Sequence, residues 1–274
     1  MKKTLIILFV TLFLTACSSK PEEQSNLYQD ILDKKEIVVA VSPDYVPYEF
    51  IDPSKQGQDQ YVGADIELAK YIAEKLGITL TIKAMDFSDI PSAIALERFD
   101  LGISGFTHSE ERAKQIQFSD SYDNSESTCQ GFLVRKDRAD EFKSLKDFEE
   151  AHVVVQNGSL QQTYVQQQLP NSKQRPIGKL DDGVLELKYN KVDAVAISCE
   201  SGASFTLNND DLMVSDVKFD IIDEEGMMVI MPKEQTELLE HINAIIKEVK
   251  ENGLYAEWMN DANKLAEDLG AVNE

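Results

Sequence analysis

The chain has 274 residues, with 27 Lys plus Arg against 49 Asp plus Glu, a formal net charge of −22, and three cysteines. So acidic a surface excludes recruitment to DNA or to anionic lipid by electrostatics, and no nucleic-acid partner is expected. The length is enough for one large or two medium domains.

The chain opens MKKTLIILFVTLFLTACSSK. Lys2 and Lys3 form a basic start, and the apolar run Leu5 to Leu14 is shorter than the ~20 residues that a bilayer core requires, so residues 1–16 read as a signal peptide. Its end, Leu14-Thr15-Ala16-Cys17, resembles the bacterial lipobox, in which the cysteine is lipidated and becomes the new N-terminus. Cys17 is therefore the expected lipidation site, and a lipid anchor is expected to hold the protein at the outer face of the cytoplasmic membrane. An ordinary signal peptide with an incidental cysteine is the alternative. Residues 17–34 are assigned to the lipidated cysteine and a tether, of which Ser18 to Asn26 is polar and flexible in composition. Loss of Lys2 and Lys3 takes the mature charge to about −24 on the same counts. One acyl chain anchors weakly, so stable attachment needs several.

Strand and helix patterns alternate along the rest of the chain. IVVAV (37–41) reads as a strand, and Asp65 to Leu76 as a helix with Ile66, Ala69, Ile72, Ala73 and Leu76 on one face and a Gly77 cap. LTIKAM (80–85) is a strand, then Ser88 to Leu96 a helix with Ser88 as N-cap and Pro91 in its first turn. Strands follow at DLGIS (100–104), GFLVRK (131–136), HVVVQ (152–156), DAVAI (193–197) and MMVIM (227–231), and a helix at Glu237 to Glu251. Several strands are apolar throughout, as in a parallel sheet covered on both faces. The fold class is α/β. Polar seams at 118–132 and 214–226 suggest a chain that leaves one domain, builds another and returns. The expected division is 35–127 plus 223–274 for the first lobe and 128–222 for the second. Cys129 and Cys199 lie far apart in sequence, which leaves open whether they pair.

Ligand sites in open α/β sheets lie beyond the carboxyl ends of the strands. The loops there carry SPDYVPYEF (42–50), MDFSD (85–89), SGFTHSEER (104–112), NGSLQQ (157–162) and SCESG (198–202). Together they supply aromatic walls, hydroxyls, backbone N–H groups, one arginine and one glutamate, which are the groups an amino acid zwitterion needs. Other readings stand beside this one. Thr107 with Glu110 fits a capping box that requires no ligand. Tyr45, Tyr48 and Phe87, taken singly, fit core or rim positions, and Glu200 fits a surface acid.

The segments IVVAVSPDYVPYEF, YVGADIELAKYIAEKLG, MDFSDIPSAIALERFDLGISG, THSEERAKQIQFSDSY, VVVQNGSLQQTY, KVDAVAI and NGLYAEW occur in this order over nearly the whole mature chain. As a set they resemble the family 3 solute-binding proteins of bacterial ABC importers, the polar amino acid binders. The resemblance implies a two-lobed fold of the type II periplasmic-binding-protein kind, with two hinge crossings near 122–128 and 222–226. It implies that Arg112 clasps the ligand carboxylate, that Tyr45 and Phe87 form opposite walls, and that Ser104, Gly105 and Thr107 supply hydrogen bonds. Ser159 closes from the second lobe. Where the family usually has an aspartate for the ligand ammonium this chain has Ser198, so the expectation is that Glu200 substitutes, that another acid does, or that the ligand lacks a normal ammonium. Ala64, where an aromatic residue is common, and the long stretch DNSESTCQG are further departures. The acids Asp44, Glu49 and Glu200 near the mouth are compatible with a cationic side chain, but in so acidic a chain they do not say which polar amino acid binds.

The implied partners are a free amino acid and the permease and ATPase subunits of an ABC transporter, and a monomer is expected. No cofactor is expected: the histidines 108, 152 and 241 are scattered, and no HExxH, CxxC or Walker loop occurs. A dehydratase-like enzyme on the same scaffold, or a ligand sensor domain, is the alternative. An enzyme needs an acid or base placed in the cleft.

Overall fold

The computed structural model describes residues 26–123, 129–221 and 226–270. In chain order it contains α1 (Leu27–Lys34), β1 (Glu36–Val41), β2 (Phe50–Ile51), β3 (Tyr61–Val62), α2 (Ala64–Leu76), β4 (Thr79–Ala84), α3 (Ile90–Ala95), β5 (Leu101–Gly102) and β6 (Ile116–Asp123). There follow β7 (Gln130–Arg135), β8 (His152–Gln156), α4 (Leu160–Gln168), β9 (Lys173–Ile177), α5 (Leu180–Lys188), β10 (Ala194–Ser198), α6 (Cys199–Thr206) and β11 (Leu212–Lys218). The chain ends with β12 (Met227–Pro232), α7 (Thr236–Glu251) and α8 (Leu254–Asp268). One five-stranded sheet has the order β4-β1-β5-β12-β6 and the other β11-β7-β10-β8-β9, so each lobe has its own sheet. β1 runs parallel to β4 and β5, and β8 parallel to β9 and β10, while β12, β6, β7 and β11 join antiparallel. The expected hinge crossings fall mostly on 124–128 and 222–225, outside the described residues, as do the signal peptide and Cys17. No helix among the described residues is long and apolar enough to cross a membrane.

The apolar runs follow from burial on both faces. Val39 and Val41 pack with Ile66 and Ile72 of α2 and Ile242 of α7, whereas Ala40 packs with Ile90 and Ile94 of α3 and Ile230 of β12. In the second lobe Val153 and Val155 face Tyr164 and Val165 of α4, and Val154 and Val195 face Leu180 and Val184 of α5. A strand with no solvent side has nothing for alternation to mark.

The polar seams are not loops throughout. β6 occupies the start of the first and β11 the start of the second, and both are edge strands. An edge strand has one open side and carries polar residues that a central strand would exclude. β9, KQRPI, is a third edge strand, and its position tolerates Pro176. The tether is also shorter than expected: residues 27–34 form α1, with Leu27 and Ile31 buried. Leu27 N donates to Gln235 Oε1 at 3.1 Å, and Tyr28 stacks on His241 with centroids 4.0 Å apart. Ser88 lies within a short 3-10 turn, Phe87–Asp89, and α3 starts at Ile90 with Pro91 in its first turn.

Cys129 and Cys199 form a disulfide with Cα atoms 5.3 Å apart and 70 residues of separation, tying the strand that opens the second lobe's chain to the first residue of α6. Closing a loop of that length stabilises the fold by about 4 kcal/mol in the chain-entropy model. Replacing both cysteines by serine should lower the melting temperature by about 10 °C. A thermal scan showing less than about 2 °C would mean that chain closure contributes little.

Candidate functional site

A cavity lies between the lobes, lined by loops that follow β1, β4, β5 and β8 and by the end of β10. Arg112 projects into it from the loop between β5 and β6. The segment before it is not a helix start: Arg112 opens a 3-10 turn, Arg112–Lys114, and the Thr107–Glu110 capping box does not form. Arg112 N instead donates to Ser109 Oγ at 3.2 Å. Its Nη1 donates to the Thr107 carbonyl at 3.0 Å, and its Nη2 donates across the cleft to the Gly158 carbonyl. The guanidinium lies 5.5 Å from the Phe87 ring and 5.3 Å from the Phe106 ring, which stack on each other at 4.7 Å. The ion pairs among the described residues do not include Arg112. Desolvation pulls its pKa down to about 10, so a carboxylate brought to it would restore the partner that burial has removed.

Two acids line the same cavity, Asp44 and Glu49, both from the loop after β1. Asp44 is already occupied. Its Oδ1 accepts from Ser42 Oγ at 2.7 Å, and its Oδ2 accepts from Gln156 Nε2 at 3.0 Å and Leu180 N at 2.6 Å. Leu180 is the first residue of α5, whose N-cap residue Lys179 makes no side-chain cap bond. Asp44 therefore caps a helix of the opposite lobe, where the helix dipole also favours an anion. Glu49 is fully buried, with Oε1 accepting from Ser104 Oγ, and burial with neighbouring Asp65 pushes its pKa well above the usual carboxylate range. Asp65, at the start of α2, accepts from Gly105 N at 2.9 Å, Tyr122 OH at 2.9 Å and Tyr255 OH at 2.6 Å.

Of the residues expected at the site, Tyr45, Phe87, Ser104, Gly105, Thr107, Arg112 and Ser159 line the cavity. Tyr45 stacks on Tyr48 at 4.6 Å, and Gly105 takes φ 58°, a left-handed conformation that turns its N–H toward Asp65. Ser159 Oγ caps α4 by accepting from Gln162 N at 3.0 Å. Ser198 and Glu200 are not among the lining residues. Ser198 Oγ caps α6, accepting from Ser201 N at 3.3 Å, and hydrogen-bonds Tyr45. Glu200 stands in the first turn of α6, close enough to Tyr45 and Tyr48 to act on them electrostatically, but it does not line the cavity where a substitute for the missing aspartate would be needed. The lining also includes Gln130, Gln156 and Gln161, of which Gln161 Nε2 donates to Gln130 Oε1 at 2.7 Å. A glutamine carries no spacing signal, and sequence reasoning did not find these.

The model of the bacterial extracellular solute-binding proteins, family 3, matches residues 37–261. The chain belongs to this family. Its similarity to the arginine-binding extracellular protein ArtP of Bacillus subtilis (strain 168) is 33% identity over 261 residues, covering 92% of this chain and 94% of that one. Among solved structures, it matches an amino acid ABC transporter substrate-binding protein from Streptococcus pneumoniae bound to L-arginine, with a TM-score of 0.82 and 30% identity over 88% of this chain and 98% of that one. It also matches the ancestral amino acid-binding protein AncCDT-1, a precursor of cyclohexadienyl dehydratase, with a TM-score of 0.76 and 29% identity over 85% and 98% of the two chains. This family 3 protein is accordingly an extracytoplasmic amino acid receptor of an ABC transporter.

Asp44→Ala should remove the cross-lobe cap, weakening ligand affinity by about 1–2 kcal/mol, roughly 5- to 30-fold, and raising the radius of gyration measured by small-angle scattering. An unchanged radius and affinity would show that the cap does not hold the lobes together. Asp181, in the first turn of α5, has its pKa raised to about 7 by burial and by Asp44. A carboxyl raised in this way supports the fold fully below its ordinary pKa of 3.8 and loses that support as pH climbs toward about 7. Asp181→Asn should therefore match the parent's melting temperature near pH 4 and exceed it near pH 8. A difference independent of pH would contradict the assignment.

Proposed function

We propose that this receptor captures free L-arginine, or an amino acid with a similarly cationic side chain, and delivers it unchanged to the permease and ATPase of its importer. The observation that carries this reading is the separation of basic and acidic groups in the cavity: the ion-unpaired guanidinium of Arg112 on one wall, and the carboxyls of Glu49 and Asp44 on the loop after β1. Arg112 receives the α-carboxylate as a bidentate pair. Tyr45 and Phe87 flank the aliphatic part of the ligand, while Ser104, Gly105, Thr107 and Ser159 supply hydrogen bonds. Glu49 receives the cationic side chain, since both oxygens of Asp44 are engaged. The arginine-binding names of the relatives support the same ligand. Closure is a population shift, because Arg112 and the Ser159 loop meet one ligand from two lobes. A lipid on Cys17 anchors the receptor outside the membrane.

Binding without reaction is part of the reading. The dehydratase precursor among the structural neighbours makes catalysis the second reading, and arginine recovered intact by NMR after prolonged incubation would dismiss it. Arg112→Ala should weaken arginine binding by at least about 3 kcal/mol, more than 100-fold, with the fold intact by circular dichroism. Unchanged affinity in calorimetric titration would remove Arg112 from the site.

A further inference from the structure

Glu49 is 0% exposed and lines the cavity. Its Oε1 accepts from Ser104 Oγ, its Oε2 is buried with no donor to accept from, and its carboxyl shares a hydrogen bond with that of Asp65. Beside it, Asp65 accepts from three donors, Gly105 N, Tyr122 OH and Tyr255 OH. Three donors suit an ionised carboxylate, whereas Glu49 has one. Two adjacent buried carboxyls do not both ionise readily, and the better-solvated one keeps the charge. Asp65 therefore holds the negative charge of the pair and Glu49 the proton.

We propose that Glu49 exchanges this proton for the cationic side chain of the ligand. Before capture, the Glu49–Asp65 pair holds one proton. On capture, the Glu49 O–H bond breaks, its electron pair stays on the carboxylate, the proton leaves to water, and a guanidinium or ammonium takes its place. The pair and the ligand's side chain together then carry the same net charge, one negative, that the pair carried before capture. This rests on the cationic-ligand reading above.

Every titratable group facing Glu49 agrees with that distribution. Asp65 from α2 and Asp44 from its own loop oppose its ionisation, as does burial. Tyr122 of β6 and Tyr255 of α8 have pKa values pushed far up and remain neutral donors to Asp65. Tyr45, on the same loop, is likewise held neutral by burial. Arg112, elsewhere in the cavity, stays charged below about pH 9 and exchanges no proton there. Because capture releases a proton, affinity rises with pH, by up to about tenfold per unit while free Glu49 is protonated.

The experiment is calorimetric titration of the parent and Glu49→Gln with L-arginine between about pH 6 and 7.5, in buffer pairs of different ionisation enthalpy. The parent should release close to one proton per arginine bound, and should bind arginine more than about 30-fold tighter than citrulline, its neutral isostere. Glu49→Gln should release close to none and lose most of that preference. Asp44 and Asp181 titrate in both proteins, so the difference belongs to Glu49. Arginine binding without proton release, or equal affinity in Glu49→Gln, would overturn the exchange while leaving the arginine reading standing. If the parent does not bind arginine, the reading falls and the exchange with it. Should Glu49→Gln fail to fold, proton release by the parent with arginine against citrulline decides alone.

Discussion

Two carboxyl groups, Asp65 and Glu49, sit side by side in the interior of the first lobe, and much of the surrounding chain is arranged to tolerate them. Burying a charge is costly unless donors replace water. Asp65 draws its donors from three distant segments, the loop after β5, β6 and α8, so one side chain knits together parts of the chain up to 190 residues apart. Gly63 makes the arrangement possible. A Cβ there would lie 2.2 Å from the Tyr48 carbonyl oxygen, and its φ of 123° is reserved for glycine. That close approach presses the loop carrying Tyr45 and Glu49 against the start of α2, where Asp65 stands in the first turn.

The same network positions the binding wall. Gly105, held by Asp65, begins the segment that ends at Arg112, and Ser104, held by Glu49, precedes it. Residues held by the buried acids and residues that line the cavity are thus neighbours along one short loop. The lobes themselves meet partly through side chains on backbone groups: Asp44 on Leu180 N and Arg112 on the Gly158 carbonyl. Contacts of this kind depend on the lobes' separation more than on the identity of the opposite side chains, which suits a cleft that opens and closes.

What was legible follows where packing leaves a periodic mark. β1, β8, β10 and β12 are apolar runs, and α2 and α7 carry helical stripes, because each is buried along most of its length. β6, β9 and β11 were not, since an edge strand keeps one side open and its serines, lysines and aspartates look like loop. α1 buries Leu27 and Ile31, one helical turn apart, with Tyr28 packed at the edge, a signal easily lost in a polar stretch. Among the residues that line the cavity, Arg112, Tyr45, Phe87 and Ser159 were singled out through ordered motifs at the ends of strands. Gln130, Gln156 and Gln161 were not, having neither charge nor period to distinguish them.

The sequence by itself determined the α/β class, the family and the loop that carries Arg112, because these rest on local patterns and on motifs in fixed order. Tertiary structure alone decided which acids line the cavity and what each is bonded to. Asp44, Glu49 and Glu200 are alike as letters beside a strand end, yet one caps a helix of the other lobe, one is buried beside Asp65, and one stays outside the cavity in the first turn of α6. Their roles differ because a carboxyl group's charge depends on burial and on donors brought from distant parts of the chain, and neither is a property of the residue itself.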